Sequence, residues 1–133
     1  MNDDERASLK AEIAALHGPM LHKRLFVITW TKTAGSDPDE VLRTFPAHLR
    51  WQLDLEERGV LFGSGPLFEE AGEQSPNGMT IVRAASAAQA RALAETEPYV
   101  ERGLRSFTIR GWDLNEGSLH VRVRFGTGTF ELE

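Results

Sequence analysis

Apolar positions along the chain switch between a helical and an alternating period, and the switches mark its elements. Leu9, Ile13 and Leu16 recur at helical spacing after Asp3 and Asp4 until Gly18-Pro19 stops the pattern, which predicts a short amphipathic helix over Asp4 to His17. Leu25-Phe26-Val27-Ile28-Thr29-Trp30 is a β-branched and aromatic run of strand length, and Lys32 to Ser36 reads as the turn after it. Asp37-Pro38-Asp39-Glu40 combines a capping residue, a first-turn proline and a glutamate three positions after the cap, so a helix opens at Pro38. Pro46 lacks the N–H a helix interior needs, which predicts a kink, or a second helix from Pro46 to Arg58 closed by Gly59. On this segment Leu42, Phe45, Leu49 and Leu53 share one stripe, assigned to the sheet, while His48, Trp51 and Leu55 form a flank beside the core.

Val60 to Leu67 begins as a strand, and Gly63, Gly65 and Pro66 mark it as an edge, a bulge or a close backbone approach. Glu69 to Asn77 is assigned to a loop with Asn77-Gly78 as its hairpin turn, followed by a third strand over Met79 to Ala84. Ser86 caps an alanine-rich helix from Ala87 to Thr96 that Pro98 ends. Leu104 to Trp112 alternates as a fourth strand. Leu119 to Phe125 alternates more cleanly, with Leu119, Val121, Val123 and Phe125 on one face and His120, Arg122 and Arg124 on the other.

The order β-α-β-β-α-β is the ferredoxin-like α+β arrangement with an antiparallel sheet. The expectation is one domain over 1–133, with a core at about 25–112, an N-terminal helical extension over 1–23 and a C-terminal strand extension over 116–133. Two helices on one face of a sheet leave the other face open. A second copy is the usual cover, so a homodimer with ligand clefts between sheet and helices is expected.

Composition narrows the function. Fifteen basic against twenty acidic side chains leave a formal charge of −5, which gives no general attraction to phosphate backbones, and no nucleic-acid partner is expected. The absence of cysteine removes disulfides, thiolate nucleophiles and cysteine-based metal sites together. The acidic start, Met1 to Arg6, is unlike a secretory signal, and no apolar run approaches the ~18 residues of a membrane span, so a cytoplasmic protein is expected. His17 and His22 flank Gly18-Pro19, which breaks the i, i+4 geometry of a metal pair, and no metal or cofactor is expected.

Several motifs in register with these elements carry a resemblance. Pro46-Ala47-His48-Leu49, Leu55-Glu56-Glu57-Arg58-Gly59-Val60-Leu61, Gly65-Pro66-Leu67 and Glu97-Pro98-Tyr99-Val100-Glu101-Arg102-Gly103-Leu104, in that order and spacing, resemble the YciI-like family over about Leu25 to Trp112. The resemblance implies a dimeric α/β barrel of two ferredoxin-like subunits and an active-site pair of His48 with Glu97. The family usually has aspartate at the second place, and the arginine often found before Pro-Ala-His is displaced, with Thr44 and Phe45 standing there and Arg43 beside them. Relatives of the family move protons without a cofactor, in isomerisations and eliminations.

If a helix starts at Pro46, His48 falls in its first turn, where the positive end of the helix dipole opposes a charged ring and suits a general base. Glu97 would orient that ring. The residues alone leave His48 open between a base and a structural histidine at the core boundary. Trp51, Tyr99, Arg43 and Arg105 are the candidate substrate contacts. His120, Arg122 and Arg124 read as a solvated or partner-facing strand surface, Gly63-Ser64-Gly65-Pro66 as structural, and Trp30, Trp51 and Trp112 as core before cleft wall. Two functions follow: a cofactor-independent lyase or isomerase acting on a small, cyclic, anionic metabolite, or a non-catalytic dimeric module that binds a small ligand.

Overall fold

The run at Leu25–Trp30 forms the middle of β1 (Lys23–Lys32), whose alternate residues Phe26, Ile28 and Trp30 are buried. A computed structural model describes the whole chain, Met1 to Glu133. It separates into two compact units, Arg24–Asp113 and a second built from Met1–Lys23 with Leu114–Glu133.

In the first unit β1 is followed by α2 (Pro38–Glu57), β2 (Leu61–Phe68), β3 (Gln74–Val82), α3 (Ala87–Glu95), a four-residue α4 (Pro98–Glu101) and β4 (Arg105–Leu114). The sheet order is β2-β3-β1-β4, with β1–β3 and β2–β3 antiparallel, which is the ferredoxin-like α+β topology. Register sets Phe26 opposite Val82, Ile28 opposite Thr80 and Trp30 opposite Gly78. Phe26, Ile28, Trp30 and Val82 form one buried cluster with Ala90 and Ala94 of α3, against which Trp51 of α2 packs. The two alanines let α3 approach the sheet closely, since each fills little more than its own backbone's volume.

Three expectations change here. First, α2 is one helix of twenty residues with Pro46 inside it. Pro46 removes the bond that the Leu42 carbonyl would accept, but both residues are exposed, so solvent reaches the carbonyl and the helix continues. His48 is therefore mid-helix, and no terminal dipole acts on it. Second, the stripe assigned to the sheet is not buried against it: Leu42, Phe45, Leu49 and Leu53 are 70%, 46%, 44% and 62% exposed. The face turned inward is Thr44, His48, Trp51 and Leu55, a helical repeat of four, three and four residues.

Third, Asn77-Gly78 is not a turn. The β2–β3 turn lies earlier, where the Glu69 amide donates to the Glu73 carbonyl at 2.8 Å and Gly72 takes a positive φ of 101°. Asn77 and Gly78 belong to β3 instead. A Cβ at Gly78 would stand 3.2 Å from the Gly65 carbonyl, a tight approach to the backbone of β2, and in ordinary contact with the Trp30 ring at 3.7 Å, so the glycine suits the close pairing of β3 with β2. β2 is an edge strand with register shifts at Leu61/Gly63 and Pro66/Phe68, as its glycines and proline predicted.

In the second unit α1 (Asp3–His17) opens on a reciprocal cap: the Glu5 amide donates to Asn2 Oδ1 at 2.8 Å and the Asn2 amide to Glu5 Oε2 at 3.2 Å. None of its side chains is buried. The strand expected after Leu119 is β5 (Val121–Arg124), and it pairs with β6 (Thr129–Leu132) as a separate two-stranded sheet. Arg124–Glu131 at 2.8 Å and Arg122–Glu133 at 3.2 Å are ion pairs of the expected basic face.

Candidate functional site

Glu97 owes its position to the proline that follows it. Thr96 ends α3, Pro98 restarts a helical turn, and Glu97 between them is the cap of α4, its Oε2 accepting from the Val100 amide at 3.1 Å. Its other oxygen, Oε1, accepts from His48 Nδ1 at 2.7 Å. The carboxylate is fully buried and the imidazole is 13% exposed. Because a carboxylate accepts, Nδ1 carries the proton of the neutral ring, and Nε2 keeps its lone pair with no protein partner.

His48 lies in the wall of a cavity of about 720 Å³. The exposed α2 stripe, Leu42, Phe45, Leu49 and Leu53, forms one side, and Ser64 to Pro66 of β2 with Gln74 to Gly78 of β3 form the other. Phe45 stacks on the imidazole at 6.2 Å between centroids, and Tyr99 leans against it at 5.1 Å. Burial raises the Tyr99 phenol above its ordinary value; Arg105 opposes this and Glu97 adds to it.

Arg105 completes that corner of the cavity. Its guanidinium sits 4.6 Å from the Tyr99 ring and 5.4 Å from the Trp30 ring, and it makes no ion pair. Burial lowers its pKa, against the pull of Glu97 and Tyr99. Rings on this scale hold a cation without neutralising it, leaving its N–H donors available.

Two expected contacts are not brought to the cavity. Arg43 turns to the exposed side of α2, where Nη1 pairs with Glu40 Oε1 at 2.6 Å. Trp51 packs edge-on against Trp30 at 6.1 Å and donates to Thr96 Oγ1 at 3.0 Å, so it supports the wall from behind. Trp30 is likewise core, while Trp112 is on the far strand near Phe62, 6.3 Å between centroids.

Gln52 and Thr80 carry no sequence expectation, and Ser64 belongs to the segment read as structural, which here lines the cavity. Trp30 Nε1 donates to Thr80 Oγ1 at 2.8 Å, the Thr80 and Ser64 hydroxyls share a bond of 2.8 Å, and Gln52 Nε2 donates to Ser64 Oγ at 2.9 Å. This row fixes Gln52 on the cavity wall and leaves its Oε1 without a protein partner. The signal for it was spacing: Gln52 lies one helical turn after His48.

These features define a ferredoxin-like α+β unit with a buried histidine–carboxylate pair on a small-molecule-sized cavity. The model of the YCII-related domain matches residues 25–113, and the chain belongs to that family. A search of the curated proteins gives no match. Among solved structures the chain is similar to the 5-chloro-2-hydroxyhydroquinone dehydrochlorinase TftG from Burkholderia phenoliruptrix AC1100, in complex with 2,5-dihydroxybenzoquinone. The TM-score is 0.53 at 20% identity, covering 66% of this chain and 92% of that one, a likeness of fold.

Proposed function

We propose that the protein is a cofactor-independent enzyme of the lyase or isomerase type, acting on a small, cyclic, anionic metabolite, with His48 as acid and base and Glu97 as the residue that positions it. The observation that carries this reading is the 2.7 Å bond from His48 Nδ1 to a fully buried carboxylate at the wall of the cavity. With Nδ1–H held by Glu97, Nε2 accepts a proton from a substrate C–H, and the imidazolium that results is stabilised by the carboxylate. The electron pair released from that C–H forms a new double bond. Either a leaving group departs with its own bonding pair, or His48 returns the proton at another carbon. The dehydrochlorinase named above supports the first outcome by analogy of fold.

Homodimerisation belongs to the same reading. Val27 and Ile81 face each other on the sheet side opposite the core cluster, with Met79 37% exposed beside them, and an uncovered apolar face of this kind is the surface a second copy covers. A cytoplasmic setting is proposed with it, in keeping with a chain that has no cysteine.

The test is an NMR titration of His48 in the wild type and in Glu97→Gln. If ring and carboxylate act as a pair, Glu97→Gln should change the titration of His48 while those of His17, His22 and His120 stay where they were. A His48 midpoint indifferent to the substitution would remove the dyad and leave the binding module.

A further inference from the structure

We propose that a second, smaller cavity beside the first is a carboxylate-binding subsite, formed by Lys32 and Arg105, that anchors the acidic group of a ligand whose body fills the larger cavity. This rests on the reading of the larger cavity as a ligand site and adds the substrate class to it.

The smaller cavity measures about 150 Å³ and is lined by Lys32, Val41, Pro76, Tyr99, Leu104 and Arg105. Val41, Pro76, Tyr99 and Arg105 line the larger cavity as well, so the two adjoin. Two of the six lining residues are cations and none is an acid, in a chain whose formal charge is −5. The side chains of Lys32 and Arg105 make no ion pair, so neither charge is neutralised by a carboxylate of the chain. Glu97 acts on Arg105 through space, but both of its oxygens are taken, by His48 and by the Val100 amide.

The backbone ties the two segments that carry these cations. At the end of β1 the Thr33 amide donates to the Leu104 carbonyl at 3.0 Å and the Thr33 hydroxyl to the Gly103 carbonyl at 3.0 Å, which ties the residue after Lys32 to the two before Arg105. The Lys32 amide is fixed in turn by Asn77 Oδ1 at 3.1 Å. Tyr99 and Trp30 hold the guanidinium over their rings without accepting an N–H bond from it that neutralises its charge, so its donors serve a ligand in the cavity. A planar fork with a second cation beside it matches a carboxylate, which accepts two parallel N–H bonds and keeps a lone pair for the ammonium.

The experiment uses the full-length protein and three probes: benzoate, its neutral analogue benzyl alcohol, and inorganic phosphate, each followed by amide NMR shifts. Benzoate should bind at least about tenfold more tightly than either of the others, and its affinity should fall as salt is raised. Arg105→Met, which keeps the stem against the rings, should weaken benzoate about tenfold. Lys32→Glu, at an exposed position with no structural task for its side chain, should weaken it about fivefold with unfolding unchanged. The His48 titration in Glu97→Gln reads the dyad and benzoate binding to Arg105→Met reads the subsite, so a failed dyad and a failed subsite give different results. Equal binding of benzoate and benzyl alcohol, phosphate matching benzoate, or benzoate affinity untouched by both cation variants would each overturn the assignment.

Discussion

The two stripes of α2 teach more together than either does alone. Leu42, Phe45, Leu49 and Leu53 form the more hydrophobic stripe, yet they are the exposed one and serve as a cavity wall. Thr44, His48, Trp51 and Leu55 include two polar side chains and an indole N–H, yet they turn inward. The difference lies in the partners each polar group finds. Thr44 donates to the Glu40 carbonyl at 2.7 Å and accepts from Arg102 at 2.7 Å, Trp51 donates to Thr96, and His48 donates to Glu97. Once its hydrogen bonds are made, a buried polar group costs little, and the face with the better partners goes inside. The apolar stripe is thereby left for something other than the subunit's own core.

Deleting a side chain from each stripe gives the largest effect and the sharpest contrast. Leu55 is fully buried, so Leu55→Ala should cost about 2–5 kcal/mol in urea unfolding, through lost transfer energy and the cavity left behind. Leu53 is 62% exposed, and Leu53→Ala should stay within about 0.5 kcal/mol at low protein concentration. Equal losses at the two positions would dissolve the distinction between the stripes. A Leu53→Ala loss that grows with protein concentration would instead identify a second copy as the cover of that stripe.

Much of the core unit was legible in the chain, because a strand run such as Leu25–Trp30 or a cap such as Asp37 or Ser86 acts locally, and the structure uses each of them there. The orientation of α2 was not. Hydropathy ranks Leu and Phe above Thr and His, and the groups that reverse the ranking lie far along the chain: Arg102 is 58 residues from Thr44 and Glu97 is 49 from His48. For the same reason Asn77-Gly78 looks like a turn until Trp30 is seen opposite it. The pair His48–Glu97 was legible only through the family resemblance, and Arg43 lies away from the cavity because its own turn of α2 offers Glu40 as a partner. Arg102, which grips the threonine near that place, had no signature of its own.

An intermediate effect isolates the polar bonding that turns the inner stripe inward. Thr44→Val keeps the shape of the side chain and removes both hydrogen bonds of the hydroxyl, so it should cost about 1 kcal/mol. Pairing it with Arg102→Met should add less than the sum of the two single changes, because the first has already removed the shared bond. Strict additivity in that cycle would mean that the Thr44–Arg102 contact contributes nothing to the choice of face.

The smallest effect concerns Tyr99, which covers the imidazole of the inner stripe and is the one tyrosine of the chain, so phenolate ultraviolet absorbance reports on it alone. Burial raises its pKa from 10.0, with Glu97 adding and Arg105 opposing. An acid raised on folding keeps its proton more firmly when folded than when unfolded. That contribution to stability is complete below the unfolded value and is lost as pH climbs through the folded one. Near neutral pH, then, Tyr99→Phe should leave stability within about 1 kcal/mol of the wild type. Above the ordinary tyrosine range the wild type should lose stability with pH more steeply than Tyr99→Phe, and its phenolate should form at higher pH in the native protein than in urea. A native midpoint at or below the unfolded one would mean that water reaches the ring freely, and the inner stripe would then lack the dry cover that separates it from the outer one.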